Sequence, residues 1–374
     1  MQDILNHTIS INKVINICLT KNVSFSAYKL PGQREVTVII QKDPVSSAIQ
    51  SLKENFPAKG FLIAPFLKEA HPLYLIRPDL IIRHTIQPSQ LDELMSLPDK
   101  PDCSCSGECP AETEKDEYIQ LVEDSIHKIK TGDFEKVVLS RVKIVSGKYF
   151  ARLDEVFRLL GETYTGAFVY LFCVNGECWT GATPEPFICT SNKVLKTVSL
   201  AGTRTFIEYN LNIDNWNSKE LLEQEYVTRH IEKTLHAFKI NDYNRQGPYV
   251  ARAGNLLHLR TDFTFTRPAS NSRLAALIDS LHPTPAICGM STGKAMEFIN
   301  AVEKHNREYY SGYLGPVGID DELQLFVNLR CLKVFNSCVA LFVGGGITSD
   351  SVPEEEWRET DIKAETLLSV LRQF

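Results

Sequence analysis

Residues 166–190 read GAFVYLFCVNGECWTGATPEPFICT, and this stretch limits the folds open to the chain. Two apolar, β-branched and aromatic runs flank Asn175-Gly176, the dipeptide that most favours a two-residue hairpin turn. The same grammar recurs. QLFVNLRCLKVFNSCVALFVGGGI (324–347) reads as two strands turning at Asn336-Ser337, and PYVARAGNLLHLRTDFTFTR (248–267) as another strand pair. KVVLSRVKIV and KVLKTVSLAGTR read as single strands. A two-residue hairpin can join only antiparallel neighbours, whereas parallel strands need long crossovers. The pattern therefore predicts an α+β fold of mainly antiparallel sheet rather than a doubly wound parallel one.

Helices separate these strand groups. EYIQLVEDSIHKIKTGDF places Ile119, Val122, Ile126 and Ile129 at helical spacing, with Gly132 as a stop. SKELLEQEYVTRHIEKTLHAF (218–238) predicts a helix with Ser218 as N-cap. Further helices are predicted in SNSRLAALIDSLH, in GKAMEFINAVEKHNREYYSG and over 354–374. Residues 1 to about 97 mix short apolar strands with polar turns, and 96–117 reads as a connection. No short-period repeat is present.

The 374 residues suffice for a large core without staples. A net charge of -6 gives no reason to expect nucleic acid or an anionic membrane as partner. No uncharged apolar run approaches the ~20 residues of a membrane span. The first 25 residues lack the basic start of a signal peptide and carry charges within their apolar stretch, so a cytoplasmic protein is expected. Of ten cysteines, Cys18, Cys173, Cys178, Cys189, Cys288, Cys331 and Cys338 sit singly in apolar runs and are expected to be reduced and buried. Cys103, Cys105 and Cys109 in CSCSGECP have two readings, a surface loop or three ligands of a zinc site.

VPEEEWRETDIK (352–363) places Glu356, Glu359 and Lys363 at i, i+3 and i+7 on one helix face. Glu220 and Glu223 repeat the i, i+3 spacing on the 218–238 helix. Two facing carboxylate pairs suit Mg²⁺, a hard cation that takes one or two carboxylates and keeps water or substrate oxygens. Solvated helix faces give the same spacing. The glycines of LAGTR and VGGGI sit at strand ends, where backbone N–H groups can approach an anion. Arg330 in VNLRC lies inside an apolar strand and requires an anion, from a ligand or from an internal salt bridge. His258 interrupts another apolar run, Lys136 opens KVVLSR, and Glu185 stands between two prolines in GATPEPF.

The ordered words EKVVLSR, GATPEPF, LAGTR, SKELLEQEYV, HPTPAICG, YSGYLGPVG, FVNLR, GGGI and EEWRETDIK resemble the chorismate-utilising enzymes, most closely the isochorismate synthases. The resemblance runs from about 117 to 374. It implies a four-layer α/β/β/α sandwich, with 1–110 as a variable N-terminal part of the same fold and 111–374 as the chorismate-binding catalytic region. It implies Mg²⁺ held by Glu223 and Glu359, with Glu220 and Glu356 acting through water. Tyr310, Arg330, Gly344 and Gly346 would hold the enolpyruvyl carboxylate. Lys363, Gly202 and Thr203 would lie near the ring carboxylate, and His258 against the ring. Lys136 resembles the base that activates water for attack at C2, and Glu185 the acid that protonates the departing C4 hydroxyl. A lysine serves as base only if burial or nearby cations lower its pKa, and a glutamate as acid only if its pKa is raised. Ala286 resembles the synthase type rather than the salicylate synthases. Gln224, Glu308, Ser291 and Cys331 depart from the family's usual residues without removing a catalytic group.

The implied activity is conversion of chorismate to isochorismate, feeding menaquinone synthesis, with no amidotransferase subunit. A salicylate synthase, a siderophore-pathway isochorismate synthase and an inactive chorismate-binding protein are the competing expectations.

Overall fold

In the computed structural model, residues 10–43, 48–54, 56–83, 85–99, 105, 107–191, 194–253 and 256–374 are described. The 166–190 stretch forms strands Phe168–Val174 and Glu177–Thr183, paired antiparallel. Asn175 and Gly176 take φ of 52° and 83°, the left-handed pair that a primed turn requires. Cys173 and Cys178 stand directly opposite each other beside that turn and form a disulfide. A second disulfide joins Cys109 to Cys338. These pairings correct the expectation that Cys173, Cys178 and Cys338 are reduced: the hairpin register sets Cys173 against Cys178, and the segment before the helix Lys115–Lys130 carries Cys109 to Cys338 on the first sheet. They also take Cys109 out of any zinc site. Cys105 is buried as a free thiol, and Cys103 lies outside the described residues.

Two nine-stranded sheets organise the chain, and every strand pairing in them is antiparallel. The first sheet runs Gly289–Met290, Lys136–Ser146, Cys338–Ile347, Cys331–Val334, Glu177–Thr183, Phe168–Val174, Ser24–Lys29, Val36–Gln41, Leu80–Arg83. The second runs Tyr243–Ala253, Leu256–Thr266, Val194–Thr205, Pro186–Ser191, Glu322–Val327, Tyr313–Ile319, Gly60–Ala64, Leu73–Ile76, Ala48–Ile49. Strands from residues 24–83 thus enter both sheets.

Three apolar layers hold four layers of structure together. Val14 and Ile15, Leu160, and Leu367 with Leu371 pack helices onto the outer face of the first sheet. Val227, Ile231 and Leu235, with Leu274 and Ile278, cover the outer face of the second. Between the sheets lies an aromatic layer including Tyr28, Phe61, Phe168, Tyr170, Trp179 and Phe326. Phe168 and Phe326, one from each sheet, stack at 4.2 Å. The fold is an α+β sandwich in the order helix, sheet, sheet, helix. No described helix is long and apolar enough to cross a membrane.

Three local expectations are revised. The helix expected over 293–312 is Thr292–Val302 only; beyond it Glu303 turns inward to Arg307, and Glu308 and Ser311 adopt positive φ. The helix Ser218–Ala237 is capped by Asn217, which forms a reciprocal capping box with Glu220, rather than by Ser218. Residues 324–347 do not form one hairpin. Glu322–Val327 belongs to the second sheet, Cys331–Val334 and Cys338–Ile347 to the first, and the chain changes sheets at Asn328–Arg330.

Phe168→Ala removes one half of the inter-sheet stack and is expected to cost about 3–5 kcal/mol. Urea unfolding followed by circular dichroism measures this, and a loss under about 1 kcal/mol would contradict the packing described.

Candidate active site

Two chain segments change sheets side by side. Glu177–Thr183 leaves the first sheet and enters the second as Pro186–Ser191, through Pro184 and Glu185. Glu322–Val327 makes the reverse passage through Asn328–Arg330. The segments are bonded to each other: Val327 N–H donates to the Glu185 carbonyl at 3.0 Å, and Ala182 N–H donates to the Arg330 carbonyl at 3.1 Å. A Cβ at Gly181 would stand 2.8 Å from that Arg330 oxygen, so the close approach requires glycine. Arg330 itself takes φ 50°, outside strand geometry. The sequence reading put Arg330 inside a strand. Instead it sits at the corner where one sheet hands the chain to the other, beside Glu185.

That corner opens into a cavity of about 490 Å³. Of the expected site residues whose side chains are described, all but Glu356 line it. Thr203 follows Gly202 in the strand Val194–Thr205. Arg330 has no carboxylate within ion-pair distance among the described residues. Among the described residues the internal salt bridge that competed with an anion-binding role for Arg330 is therefore not formed. Burial pushes the Tyr310 hydroxyl up to about 12, so it remains a donor.

Backbone donors lie nearby, and strand register identifies them. Ser140 N–H goes to Glu303 and Val138 N–H to the Cys288 carbonyl, both away from the neighbouring strand Cys338–Ile347. Their register partners are Gly344 and Gly346. In an antiparallel ladder, such non-bonded pairs turn their own N–H groups to the opposite edge. On that edge the strand Cys331–Val334 stops at Cys331, opposite Phe342, leaving the amides of Gly344 and Gly346 without a strand partner. A Cβ at Gly344 would lie 2.8 Å from the Tyr310 hydroxyl, and one at Gly346 would lie 2.8 Å from Lys136 Cε.

Lys136 is buried at the start of Lys136–Ser146, with Nζ 3.9 Å from Glu223. Burial pushes the Glu185 carboxyl up to about 7, against the opposing fields of Arg330, Lys136 and Lys363. It is thus a carboxyl that retains its proton near neutrality. Burial lowers His258 to about 4, so its ring is neutral. Its Nδ1 lies 2.8 Å from the Gly202 carbonyl, which can only accept. The proton therefore sits on Nδ1, and Nε2 is the acceptor. Ala286 adds a small apolar wall.

The two glutamate pairs approach the cavity from the helices Ser218–Ala237 and Pro353–Leu371. Each carboxylate has its own cation. Glu220 meets Arg204 through both oxygens, Glu223 meets Lys136, Glu356 meets Lys219 at 3.1 Å, and Glu359 meets Lys363. Lys363 also donates to the Gly344 carbonyl at 2.8 Å. Burial raises Glu359, but Lys363 beside it holds the carboxyl below its ordinary range. Burial raises Glu356, and Lys219 offsets this only in part. Glu220 is engaged away from the other three, by Arg204 and by the helix cap. Among the described residues no three His, Cys, Asp or Glu side chains converge closely enough to hold a metal ion by themselves. Glu220 and Glu223 from one helix and Glu355 and Glu359 from the other line the cavity; with Glu220 held by Arg204 and the cap, Glu223 and Glu359 are the pair that could hold a cation. That donor set fits Mg²⁺, whose shell is completed by water and substrate oxygens, and does not fit a closed all-protein metal site.

Sequence reasoning missed Lys219 and Ser311, both of which line the cavity. Lys219 carries no motif of its own. Its spacing of four from Glu223 was the available signal.

Residues 79–372 match the family described as chorismate binding enzyme. The isochorismate synthase MenF of Bacillus subtilis is 27% identical over 269 residues, covering 70% of this chain and 56% of that protein. Anthranilate synthase component 1 of Bacillus pumilus is 28% identical over 278 residues, covering 69% of this chain and 52% of that protein. The match thus spans little more than half the length of these relatives. The structure of MenF, the menaquinone-specific isochorismate synthase of Escherichia coli, superposes with a TM-score of 0.75 at 22% identity, covering 98% of this chain and 92% of that one. At that identity the superposition speaks for the fold.

The raised Glu185 carboxyl has a consequence for stability. The folded chain holds a proton that the unfolded chain releases near the ordinary value of 4.5. Stability is therefore full below that value, declines as pH rises toward about 7, and is flat above. Glu185→Gln removes this decline. Relative to wild type, the variant is expected to gain on the order of 3 kcal/mol between pH 4.5 and 7.5. Equal pH dependence of urea unfolding in the two proteins would contradict the assignment.

Proposed function

The chain belongs to the chorismate-binding enzyme family, and from that premise we propose that it is an isochorismate synthase. The observation that carries this reading is Glu185, a buried carboxyl raised to about 7 in the same cavity as Lys136. Exchange of a hydroxyl between two ring carbons needs one group to take a proton from water and another to give a proton to the leaving oxygen.

Chorismate carries one carboxylate on its ring and another on an enolpyruvyl ether. The pattern of donors supports a fit to such a dianion. Arg330, the Tyr310 hydroxyl and the amides of Gly344 and Gly346 form one group, suited to the enolpyruvyl carboxylate. Lys363 and Gly202, with Thr203, lie on the side we assign to the ring carboxylate, and His258 and Ala286 against the ring. Lys136 takes a proton from water as its oxygen bonds to C2. The ring double bonds shift, the C4–O bond breaks, and Glu185 delivers its proton so that the C4 oxygen leaves as water. Run backward, the same two groups exchange roles, and the reaction is reversible. Mg²⁺, bound by Glu223 and Glu359, would neutralise the ring carboxylate and orient the ring.

Because water is the nucleophile, no amidotransferase subunit is needed. We further propose a cytoplasmic enzyme supplying isochorismate to menaquinone synthesis.

Purified protein incubated with chorismate and Mg²⁺ is expected to yield isochorismate without pyruvate on chromatography, and none with EDTA. Equal amounts of salicylate and pyruvate would assign a salicylate synthase instead, and bound but unaltered chorismate would mean a binding protein. Lys136→Ala is expected to fold normally and lose about 10²–10⁴-fold in turnover. For the wild type, kcat/KM should fall above pH of about 7 as Glu185 loses its proton. A profile flat to pH of about 9 would remove Glu185 as the acid.

A further inference from the structure

Resting on the Mg²⁺ reading above, we propose that Lys219 is a tethered counter-ion of the carboxylate cluster, with which the divalent cation must compete for the site. The position of this lysine sets its role. It occupies the first turn of the helix Ser218–Ala237, where the helix dipole disfavours a cation. Its Nζ reaches across to the first turn of the other helix, 3.1 Å from Glu356 Oε1 and 3.3 Å from Ser351 Oγ. Glu356 is only 5% exposed at its side chain and has no other cation within ion-pair distance among the described residues. Without Lys219 it is a buried carboxylate lacking compensation, a costly state unless another cation takes over.

The lysine also feels Glu223 and Glu359, so its charge is shared by three carboxylates from two helices. These include both carboxylates that we assign to the metal. An ammonium and a divalent cation so close to the same acids repel each other. Lys219 thereby keeps the cluster folded and near neutral in the absence of metal, and it lowers the cluster's intrinsic metal affinity. Tight binding of the cation then depends on the extra negative charge that the substrate's carboxylate brings. The role is one of positioning and charge balance, distinct from the proton transfers given to Lys136 and Glu185.

Mn²⁺ serves as the probe, its free fraction read by electron paramagnetic resonance without substrate. Lys219→Met and Lys219→Gln, which keep the stem but remove the charge, are expected to bind Mn²⁺ at least about tenfold more tightly than wild type. Lys219→Arg, which keeps the charge, is expected to stay within about threefold. Melting temperature gives a second readout: the two neutral variants should melt lower than wild type without metal and regain the difference with Mn²⁺. Affinity unchanged or weakened in both neutral variants overturns the role of Lys219 while leaving the metal reading intact. Absence of Mn²⁺ binding by wild type and variants, even with chorismate present, overturns the metal reading and this inference with it.

Discussion

The side-by-side exchange of two chain segments between the sheets is the constraint on which the rest of the site depends. Glu185 and Arg330 occupy the two crossings, tied by backbone hydrogen bonds and by the close approach at Gly181. A chain changing sheets must break its ladder pairing, and doing so at two adjacent points opens a gap between otherwise packed layers. The aromatic layer of Phe168, Tyr170, Trp179 and Phe326 fills the remaining inter-sheet space. The cavity is thus a local exception in a dry core. This also explains why a guanidinium and a carboxyl can be so buried there and still face a shared space.

Charge is balanced inside this space with little to spare. Each of the four glutamates of the two pairs meets a cation, while Arg330 meets no carboxylate within ion-pair distance among the described residues. At the end of the cavity where Gly344 and Gly346 turn their amides outward, the unmatched charge is therefore positive, while Asp350 and Glu355 add negative charge elsewhere in the lining. A small dianion fits that distribution better than a neutral ligand. Because the donors are fixed by strand register and crossings, they need little reorganisation when charge develops on the substrate.

Much of the fold was legible in the sequence because two-residue turns and helical periodicity are local signals. Asn175-Gly176 announced its hairpin, and the antiparallel α+β class followed. The crossings were not legible. VNLRC remains apolar on both sides of Arg330, because a strand leaving one buried sheet for another never meets solvent, so its hydrophobic pattern carries no mark of the change. The disulfide of Cys109 and Cys338 was hidden because they lie 229 residues apart, whereas Cys173 and Cys178 flank the legible turn symmetrically and their pairing followed from it. In the site, the glutamate pairs and the lysine and glycine motifs were visible. The partner of Lys219 was not, since Glu356 lies 137 residues away and only the convergence of two helix ends brings them together. The commitment of Glu220 to Arg204 and the cap was hidden in the same way.

The central claim is that this crossing of the sheets supports addition of solvent water at one ring carbon with loss of the hydroxyl from another. Turnover of chorismate in water enriched with ¹⁸O, followed by mass spectrometry of the isochorismate formed in the first turnovers, tests it most directly. The account predicts one ¹⁸O atom, in the hydroxyl at C2. Unlabelled isochorismate would mean that the hydroxyl migrates without exchange, and would contradict the roles given to Lys136 and Glu185.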